Sequence, residues 1–242
     1  MSHSGPKIAI FDYGAGNLFS LKAALERNGA GNVSIIRDMK SLHKFNGLIL
    51  PGVGNFDPAI ISIREDKEML VAAIKNRMPV LGICLGMEML FSSSQEGTLE
   101  GLKLIDGQVL MLDKKRVKVP HMGWNSIQLV AHKRGLPKKT GVAKNESENV
   151  GGSDRRGGRL LHNVEDNSWV YFVHSYRILP EKPERKIVVA NSQYGDNMIP
   201  AVIEKGSIFG TQFHPEKSGP VGSQIMKNFL KICSSPVMAE VT

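Results

Sequence analysis

The stretch VLGICLGMEML, residues 80–90, decides the fold of this chain. Its apolar first half, which ends at Cys84, predicts a buried strand, and the residues from Leu85 onward predict a helix. A strand that passes directly into a helix is typical of a βαβ unit, in which the strands run parallel and helices cover both faces of the sheet. The stretch also places a cysteine between Gly82 and Gly86 at the predicted turn, which raises the question of whether Cys84 is a reactive residue or a structural one.

The residues before this stretch show the same alternation of strands and helices. Strands are predicted at KIAIF (7–11), VSIIR (33–37) and GLIL (47–50). Helices are predicted at residues 17–29 and after Asp57-Pro58, where Asp57 has the side chain of an N-cap.

Beyond residue 100 the predicted strands follow one another without long helices between them. They are QVLML (108–112), RVKVP (116–120), SIQLV (126–130), WVYFVHSYRI (169–178), KIVVANS (186–192), AVIEKG (201–206) and SIFGTQFH (207–214). A final helix is predicted from Gly222 to Ile232. The predicted fold class is therefore α/β: a single domain over residues 1–242, with a central, mostly parallel sheet flanked by helices and a strand-rich second half.

Composition and length are those of a globular protein. The 242 residues are 41% hydrophobic and 22% charged. The N-terminal MSHSGPKIAIFDYG has no long apolar segment, and no apolar run approaches the ~20 residues that cross a bilayer, so we expect neither secretion nor membrane insertion. The two cysteines, Cys84 and Cys233, are too few for a disulfide framework. We therefore expect a cytoplasmic protein.

The formal net charge of +8 is concentrated in one segment of the chain. Residues 132–159 carry eight Lys or Arg against three Asp or Glu, a net +5, which leaves +3 for the remainder. Six glycines accompany that charge, so the segment cannot bury enough apolar surface to offset its ordering entropy, and we expect a mobile insert. Binding to a polyanion is the alternative. The segment has no aromatic stacking residues or nucleic-acid motif, and we expect no nucleic-acid partner.

The pattern from Gly82 to Gly86 is G-x-C-x-G, which puts cysteine in place of the serine of a nucleophile elbow. Such a turn presents the sulfur at the carboxyl edge of a parallel sheet, where open α/β folds bind their ligands. The helix N-terminus favours thiolate over thiol, and its first N–H, that of Leu85, can stabilise an oxyanion. A buried structural cysteine is the alternative, but the two glycines and the strand–helix turn favour a nucleophile at Cys84.

The chain offers a base and an acid to go with this nucleophile. His214 ends a predicted strand, and Glu216 follows two residues later. Pro215 favours an extended segment, which would present both side chains on one side, as in a catalytic triad. A metal site is the rival use of these residue types, but the chain has no CxxC or HxxxH pair, and we expect no metal. Cys233 lies in the final helical pattern and is expected to pack in the core.

A glycine-rich loop follows the strand GLIL. LILPGVGNF (48–56) contains a proline and two glycines directly after that strand. Glycine permits unusual backbone angles, so such a loop can bring N–H groups close to a reacting carbonyl. An ordinary turn is the alternative.

Three motifs in this order, LPGVG, GICLGM and FHPE, resemble those of the class I (triad) glutamine amidotransferases. Within that family the chain most resembles the branch that forms the glutaminase subunit of imidazole glycerol phosphate synthase in histidine biosynthesis. The further motifs are DYGAGNL (12–18), PGVGNF (51–56), KVPHMGWN (118–125), YFVHSY (171–176) and FHPEKSG (213–219). The resemblance covers the chain from residue 7 to about residue 232, apart from the basic insert.

The resemblance implies a glutaminase that needs no cofactor. Cys84 attacks the side-chain amide of L-glutamine, His214 protonates the departing ammonia and then activates water, and Glu216 orients His214. The implied oxyanion hole consists of backbone amides of Gly52, Val53, Gly54 and Leu85. The implied substrate-binding residues are Glu88, Glu96 for the α-ammonium, and His174, Ser175 and Tyr176 for the α-carboxylate, largely through backbone.

The chain departs from the family pattern at one position. Where the family usually has GMQ, this chain has Gly86-Met87-Glu88. Glutamine both donates and accepts hydrogen bonds, whereas an ionised glutamate only accepts. We expect the chemistry to survive and the affinity for glutamine to change.

The resemblance also implies a partner, a separate (β/α)₈-barrel cyclase that forms a heterodimer with this chain and receives its ammonia. The chain is too short to contain a second domain of ~250 residues. The implied interface residues are Asp12, Tyr13, Asn17, Met122, Trp124, Asn125 and Lys217. Two alternatives remain: a glutaminase that serves another ammonia acceptor, against which KVPHMGWN and DYGAGNL argue, and a silent scaffold subunit, against which the complete triad argues.

Overall fold

The computed structural model describes residues 5–14, 17–52, 54–131 and 157–235. The strands are β1 Lys7–Phe11, β2 Asn32–Ile36, β3 Gly47–Leu50, β4 Val80–Ile83, β5 Ser93–Ser94, β6 Gly107–Met111, β7 His121–Leu129, β8 Ser168–His174, β9 Tyr176–Pro180, β10 Val188–Tyr194, β11 Asn197–Lys205 and β12 Ile208–Thr211. The α-helices are α1 Leu18–Arg27, α2 Phe56–Ile63, α3 Lys67–Lys75, α4 Leu85–Glu88 and α5 Gly219–Ser234. Short 3-10 helices cover Leu42–Lys44, Arg64–Asp66, Lys182–Ile187 and Pro215–Lys217.

Nine strands form one sheet in the order β2-β1-β3-β4-β12-β11-β10-β7-β8. The pairings from β2 to β12 are parallel, and those from β12 to β8 are antiparallel. Helical crossovers produce the parallel half, because α1 joins β1 to β2 and the pair α2–α3 joins β3 to β4. The predicted α/β fold is confirmed, with a sheet that is parallel in its first half and mixed as a whole.

The core lies on both faces of this sheet. Alternate residues of β1 point in opposite directions, so that Ile8 and Ile10 join one buried cluster and Ala9 and Phe11 join the other. Because both faces of the sheet are covered, the sequences of the central strands are continuous apolar runs rather than alternating apolar and polar residues.

The sequence-based prediction was wrong at two places in the second half. The segment 116–120 forms no strand, although its valines alternate with basic residues as in a half-buried strand. The apolar run 169–178 is two strands rather than one, because the chain changes sheets at Ser175. Before that point β8 pairs with β7, and after it β9 joins a small sheet of order β5-β6-β9.

Helix α2 begins earlier than predicted. Its N-cap is Asn55, and Asp57 lies inside the first turn. The Asp57 carboxylate instead accepts hydrogen bonds from the backbone N–H groups of Thr98 and Leu99 at 3.0–3.1 Å. These bonds lower the pKa of Asp57 and tie α2 to the segment that follows Glu96.

Most of the predicted basic insert, residues 132–156, lies outside the described residues. Its end, from Gly157 to Arg159, is packed against the sheet. The Arg159 guanidinium lies 3.6 Å from the Glu204 carboxylate and 4.8 Å from the centroid of the Phe209 ring. Across the described part of the chain, no helix combines the length and apolar character needed to cross a membrane.

Candidate active site

Cys84 occupies a strained turn between β4 and α4. Its backbone has φ +48° and ψ −110°, a combination that residues other than glycine rarely adopt. The flanking glycines are required by space, because a Cβ on Gly86 would lie 2.0 Å from the Leu50 carbonyl oxygen and one on Gly82 would lie 2.6 Å from the Gly86 carbonyl oxygen. The arrangement has the features of a nucleophile elbow, as the sequence predicts.

The Cys84 thiol is enclosed, with 7% of the residue exposed. It donates to the Val173 carbonyl oxygen at 3.8 Å, and the side-chain amide of Gln212 donates to the sulfur at 3.8 Å. Burial and then the charge of Glu88 raise the pKa of the thiol well above its usual value, against the lowering effect of the Leu85 N–H. The Leu85 N–H at the start of α4 lowers the pKa of the thiol, as expected of a helix N-terminus, but burial outweighs this effect.

His214 and Glu216 form a hydrogen-bonded pair, with 2.8 Å between Nδ1 of the imidazole and Oε1 of the carboxylate. The segment after His214 is a 3-10 turn, rather than the extended segment predicted, and this turn brings Glu216 back to the imidazole. Since a carboxylate only accepts, Nδ1 carries a proton and donates this bond. Nε2 is buried and has no hydrogen-bond partner among the described residues.

Neighbouring parallel strands bring the sulfur and the imidazole to the same edge of the sheet. In the pairing of β4 with β12, Ile83 lies opposite Thr211, and the Cys84 N–H donates to the Thr211 carbonyl oxygen at 2.7 Å. His214 follows three residues later, anchored by its own N–H to the Tyr171 carbonyl oxygen at 3.0 Å. The thiol donates to the Val173 carbonyl oxygen in this structure, so this hydrogen bond must break before the proton can pass to His214.

Glu88 is buried directly beside the nucleophile. Its carboxylate accepts a hydrogen bond of 2.9 Å from the side-chain amide of Gln212, and burial raises its pKa from 4.5 to about 7. Sequence reasoning missed Gln212, whose only signal is a polar residue inside the apolar run before FHPE. Its amide oxygen is buried without a hydrogen-bond partner in the described part of the chain.

Three of the predicted substrate-binding residues lie near one another. The charge of Glu96 raises the pKa of Glu88, and both charges raise the pKa of Tyr176 after the larger effect of burial. The pKa of Glu96 is itself raised by partial burial and then by the charge of Asp57. A carboxylate that raises the pKa of a neighbouring carboxylate favours a cation beside the pair, such as the α-ammonium group of an amino acid.

The predicted carboxylate-binding residues form the crossing between the two sheets, residues 174–176. The His174 side chain is buried and bonded to other protein groups, so only its backbone could contact a ligand. The Ser175 carbonyl oxygen accepts from the Leu112 N–H at 2.9 Å. The role of this crossing in binding a carboxylate stays a prediction.

The loop after β3 lies against the nucleophile turn. A Cβ on Gly52 would lie 2.8 Å from that of Cys84, so the loop backbone passes beside the reacting atom. Gly54 has φ +117°, and Val53 lies outside the described residues. The oxyanion role of Gly52, Val53, Gly54 and Leu85 therefore stays a prediction.

Most of the predicted interface residues are accessible. Met122 is 62% exposed and Trp124 is 52% exposed, and the two residues lie two positions apart on β7, on the same face. Asn17 caps α1, and with Lys217, Gly52 and Glu216 it lines a cavity of about 510 Å³ that leads towards the triad.

Two other interface candidates have partners inside the chain. Asp12 accepts from the Arg37 guanidinium at 3.0 Å, and Asn125 donates to the Gln193 carbonyl oxygen at 2.9 Å. Tyr13 is mostly buried, with its ring centroid 6.3 Å from that of Phe11, and its role at an interface stays a prediction.

Known proteins resemble this chain in sequence and in fold. The family model described as glutamine amidotransferase class-I matches residues 9–233. The chain is 39% identical to the imidazole glycerol phosphate synthase subunit HisH of Synechococcus sp. (strain JA-3-3Ab), over 93% of each chain. It is 41% identical to the protein of that name from Geobacillus sp. (strain WCH70), over 93% of this chain and 96% of the relative.

Solved structures agree on the fold. A crystal structure of a glutamine amidotransferase covers 94% of this chain with a TM-score of 0.64 at 14% identity. The structure of PurLQS from Thermotoga maritima covers 95% with a TM-score of 0.62 at 17% identity. At these identities the likeness concerns the fold alone.

Proposed function

Because the chain belongs to the class I glutamine amidotransferase family, we propose that it is the glutaminase subunit of imidazole glycerol phosphate synthase in histidine biosynthesis. It hydrolyses L-glutamine to glutamate and ammonia and passes the ammonia to a cyclase. The observation that carries this function is the strained Cys84 turn beside the His214–Glu216 pair, at the edge shared by two parallel strands.

The proposed reaction begins when Cys84 turns from the Val173 carbonyl and gives its proton to Nε2 of His214. The thiolate attacks the carboxamide carbon of glutamine, and backbone N–H groups of Leu85 and the Gly52–Gly54 loop stabilise the oxyanion. The imidazolium, stabilised by Glu216, protonates the departing nitrogen, and ammonia leaves a glutamyl thioester. His214 then takes a proton from water, which hydrolyses the thioester to glutamate and restores the thiol.

Binding of glutamine is proposed to rest on charge. The α-ammonium lies between Glu96 and Glu88, and the α-carboxylate lies on the backbone of residues 174–176. The effect of the Glu96 charge, which raises the pKa of Glu88, supports this placement.

The proposed partner is a separate (β/α)₈-barrel cyclase. With the ammonia it converts N'-[(5'-phosphoribulosyl)formimino]-5-aminoimidazole-4-carboxamide ribonucleotide to imidazole glycerol phosphate and aminoimidazole carboxamide ribonucleotide. The exposed Met122 and Trp124 and the cavity lined by Asn17 and Lys217 support an interface on this side of the molecule.

The test is a glutamate-release assay on the chain alone, with the cyclase, and with the cyclase plus its nucleotide ligand. We expect strong release only in the full complex, because burial raises the pKa of the thiol and the thiol donates to the Val173 carbonyl oxygen in the isolated chain. Failure of the full complex to release glutamate would remove the proposed function. Full activity of the chain alone would remove the dependence on the partner.

A further inference from the structure

Two buried histidines form a hydrogen-bonded pair that the reaction above does not use. His121 begins β7 and His174 ends β8, and the two lie opposite each other in the strand pairing. Nδ1 of His121 lies 3.0 Å from Nε2 of His174, and Nδ1 of His174 lies 2.6 Å from the Tyr176 carbonyl oxygen.

The partners of these imidazoles fix the position of each proton. A carbonyl oxygen only accepts, so Nδ1 of His174 carries a proton and Nε2 of the neutral ring is an acceptor. Nδ1 of His121 must therefore donate to it, which leaves Nε2 of His121 to accept from the Asn125 side-chain amide at 3.4 Å. Burial lowers the pKa of His121 to about 4 and that of His174 to about 3, so both rings are neutral at neutral pH. The bonds then run in one direction, from Asn125 through both rings to Tyr176.

This chain of bonds joins two parts of the proposed site. Its end at Tyr176 closes the crossing of residues 174–176, where β8 leaves the large sheet and β9 enters the small one. Its beginning, Asn125, lies on β7, the strand that also carries the exposed Met122 and Trp124, and the Asn125 side chain also donates to the Gln193 carbonyl oxygen.

We propose that His121 and His174 are positioning residues, which hold the crossing 174–176 in the shape that receives glutamine's α-carboxylate and link that crossing to the partner-facing strand β7. This inference rests on the proposed function, because the identity of the ligand comes from it.

Packing alone does not require imidazoles here. The His121 ring stacks on Tyr194 with centroids 3.9 Å apart and on Phe172 with centroids 4.7 Å apart. A phenyl ring would fill the same space without burying polar nitrogens. What the imidazole adds is a set of directional bonds, and each ring nitrogen of the pair has a partner.

The experiment compares His121→Phe with His121→Asn in the complex with the cyclase. Phenylalanine keeps the stacking and removes every bond, whereas the asparagine amide can still donate from near the Nδ1 position to His174. We expect His121→Phe to raise the KM for glutamine about tenfold with little change in kcat, and His121→Asn to restore the KM to within about threefold of wild type. The exposed His43→Phe is the control and should leave both constants unchanged.

An unchanged KM in His121→Phe, or an equal defect in both His121 variants, would overturn the proposal. If His121→Phe does not fold, ¹⁵N–¹H correlation spectra of the wild-type chain decide, because they report which ring nitrogen carries the proton. Protons on Nδ1 of both rings support the chain of bonds, and a proton on Nε2 of His121 rejects it. These spectra need no substrate, so they separate this inference from the proposed function, which fails only if the wild-type complex releases no glutamate.

Discussion

The side-chain amide of Gln212 donates to the Glu88 carboxylate across 2.9 Å, and both side chains are buried beside the Cys84 sulfur. Because a carboxylate only accepts, this contact fixes which end of the Gln212 amide faces Glu88. The same NH₂ group then lies 3.8 Å from the sulfur, where it favours the thiolate. Glu88 thus acts on the nucleophile in two opposing ways, by its charge and through the orientation of Gln212.

Replacing Glu88 by glutamine should change how stability depends on pH. Burial raises the pKa of Glu88 from 4.5 to about 7, so the folded protein binds a proton that the unfolded chain has released across this range. The contribution of Glu88 to the free energy of unfolding therefore falls as pH rises from 4.5 to 7, by about 3 kcal/mol. Glu88→Gln lacks this loss, so its free energy of unfolding should exceed that of wild type more at pH 8 than at pH 5. Urea unfolding at both pH values measures the difference, with the exposed Glu68→Gln as the control; an equal difference at the two pH values would contradict the buried charge.

Replacing Gln212 by leucine should make Cys84 less reactive. The substitution removes the NH₂ group that faces the sulfur and leaves the charge of Glu88, so the thiol pKa should rise further. The rate of iodoacetamide alkylation against pH, measured in a Cys233→Ala background, should shift to higher pH, and kcat/KM for glutamine should fall about fivefold. In Glu88→Gln the alkylation profile should shift the opposite way. Equal profiles for wild type and Gln212→Leu would show that the amide does not act on the sulfur.

Replacing Cys84 by alanine separates the chemistry from the fold. Glutamine-dependent synthesis by the complex should fall by more than about a thousandfold, because no thioester can form. Synthesis from added ammonium salt should continue, since only the source of ammonia is lost. Cys233→Ala is the matched control, because that cysteine is buried in α5 away from the site and should leave both activities intact. Loss of both activities in Cys84→Ala would assign the residue to the fold or the interface instead.

The parallel half of the fold could be predicted because its signals are local. The strand GLIL, for example, has the predicted bounds. Short apolar runs that alternate with segments of 3.6-residue period also predict the order of strands and helices directly. The change of sheet at Ser175 could not be predicted, because the apolar run continues through it without a turn residue. What redirects the chain there is tertiary pairing with β6.

The candidate site could be predicted at positions where the local backbone allows only one residue type. The glycines around Cys84 point to the elbow because no other residue fits their positions. Gln212 and the His121–His174 pair were missed, because a buried polar side chain gives no sign in the sequence of which partner satisfies it. Asp57 was misassigned for the same reason, since its partners Thr98 and Leu99 lie far along the chain.

Replacing Gly86 by alanine should disrupt the elbow. The added Cβ would meet the Leu50 carbonyl oxygen at 2.0 Å, and because that atom is backbone of β3, relief requires α4 to move away from the sheet. We expect a loss of about 3 kcal/mol or more in unfolding free energy and no measurable glutamate release. Gly206→Ala is the control, because a Cβ at Gly206 would meet no atom within 4 Å and only the backbone angle, φ +59°, disfavours alanine. This variant should lose about 1 kcal/mol of unfolding free energy and keep its activity. Thermal unfolding and the glutamate assay measure both variants, and a Gly86→Ala protein as stable and active as Gly206→Ala would show that the turn around Cys84 is not constrained as the structure has it.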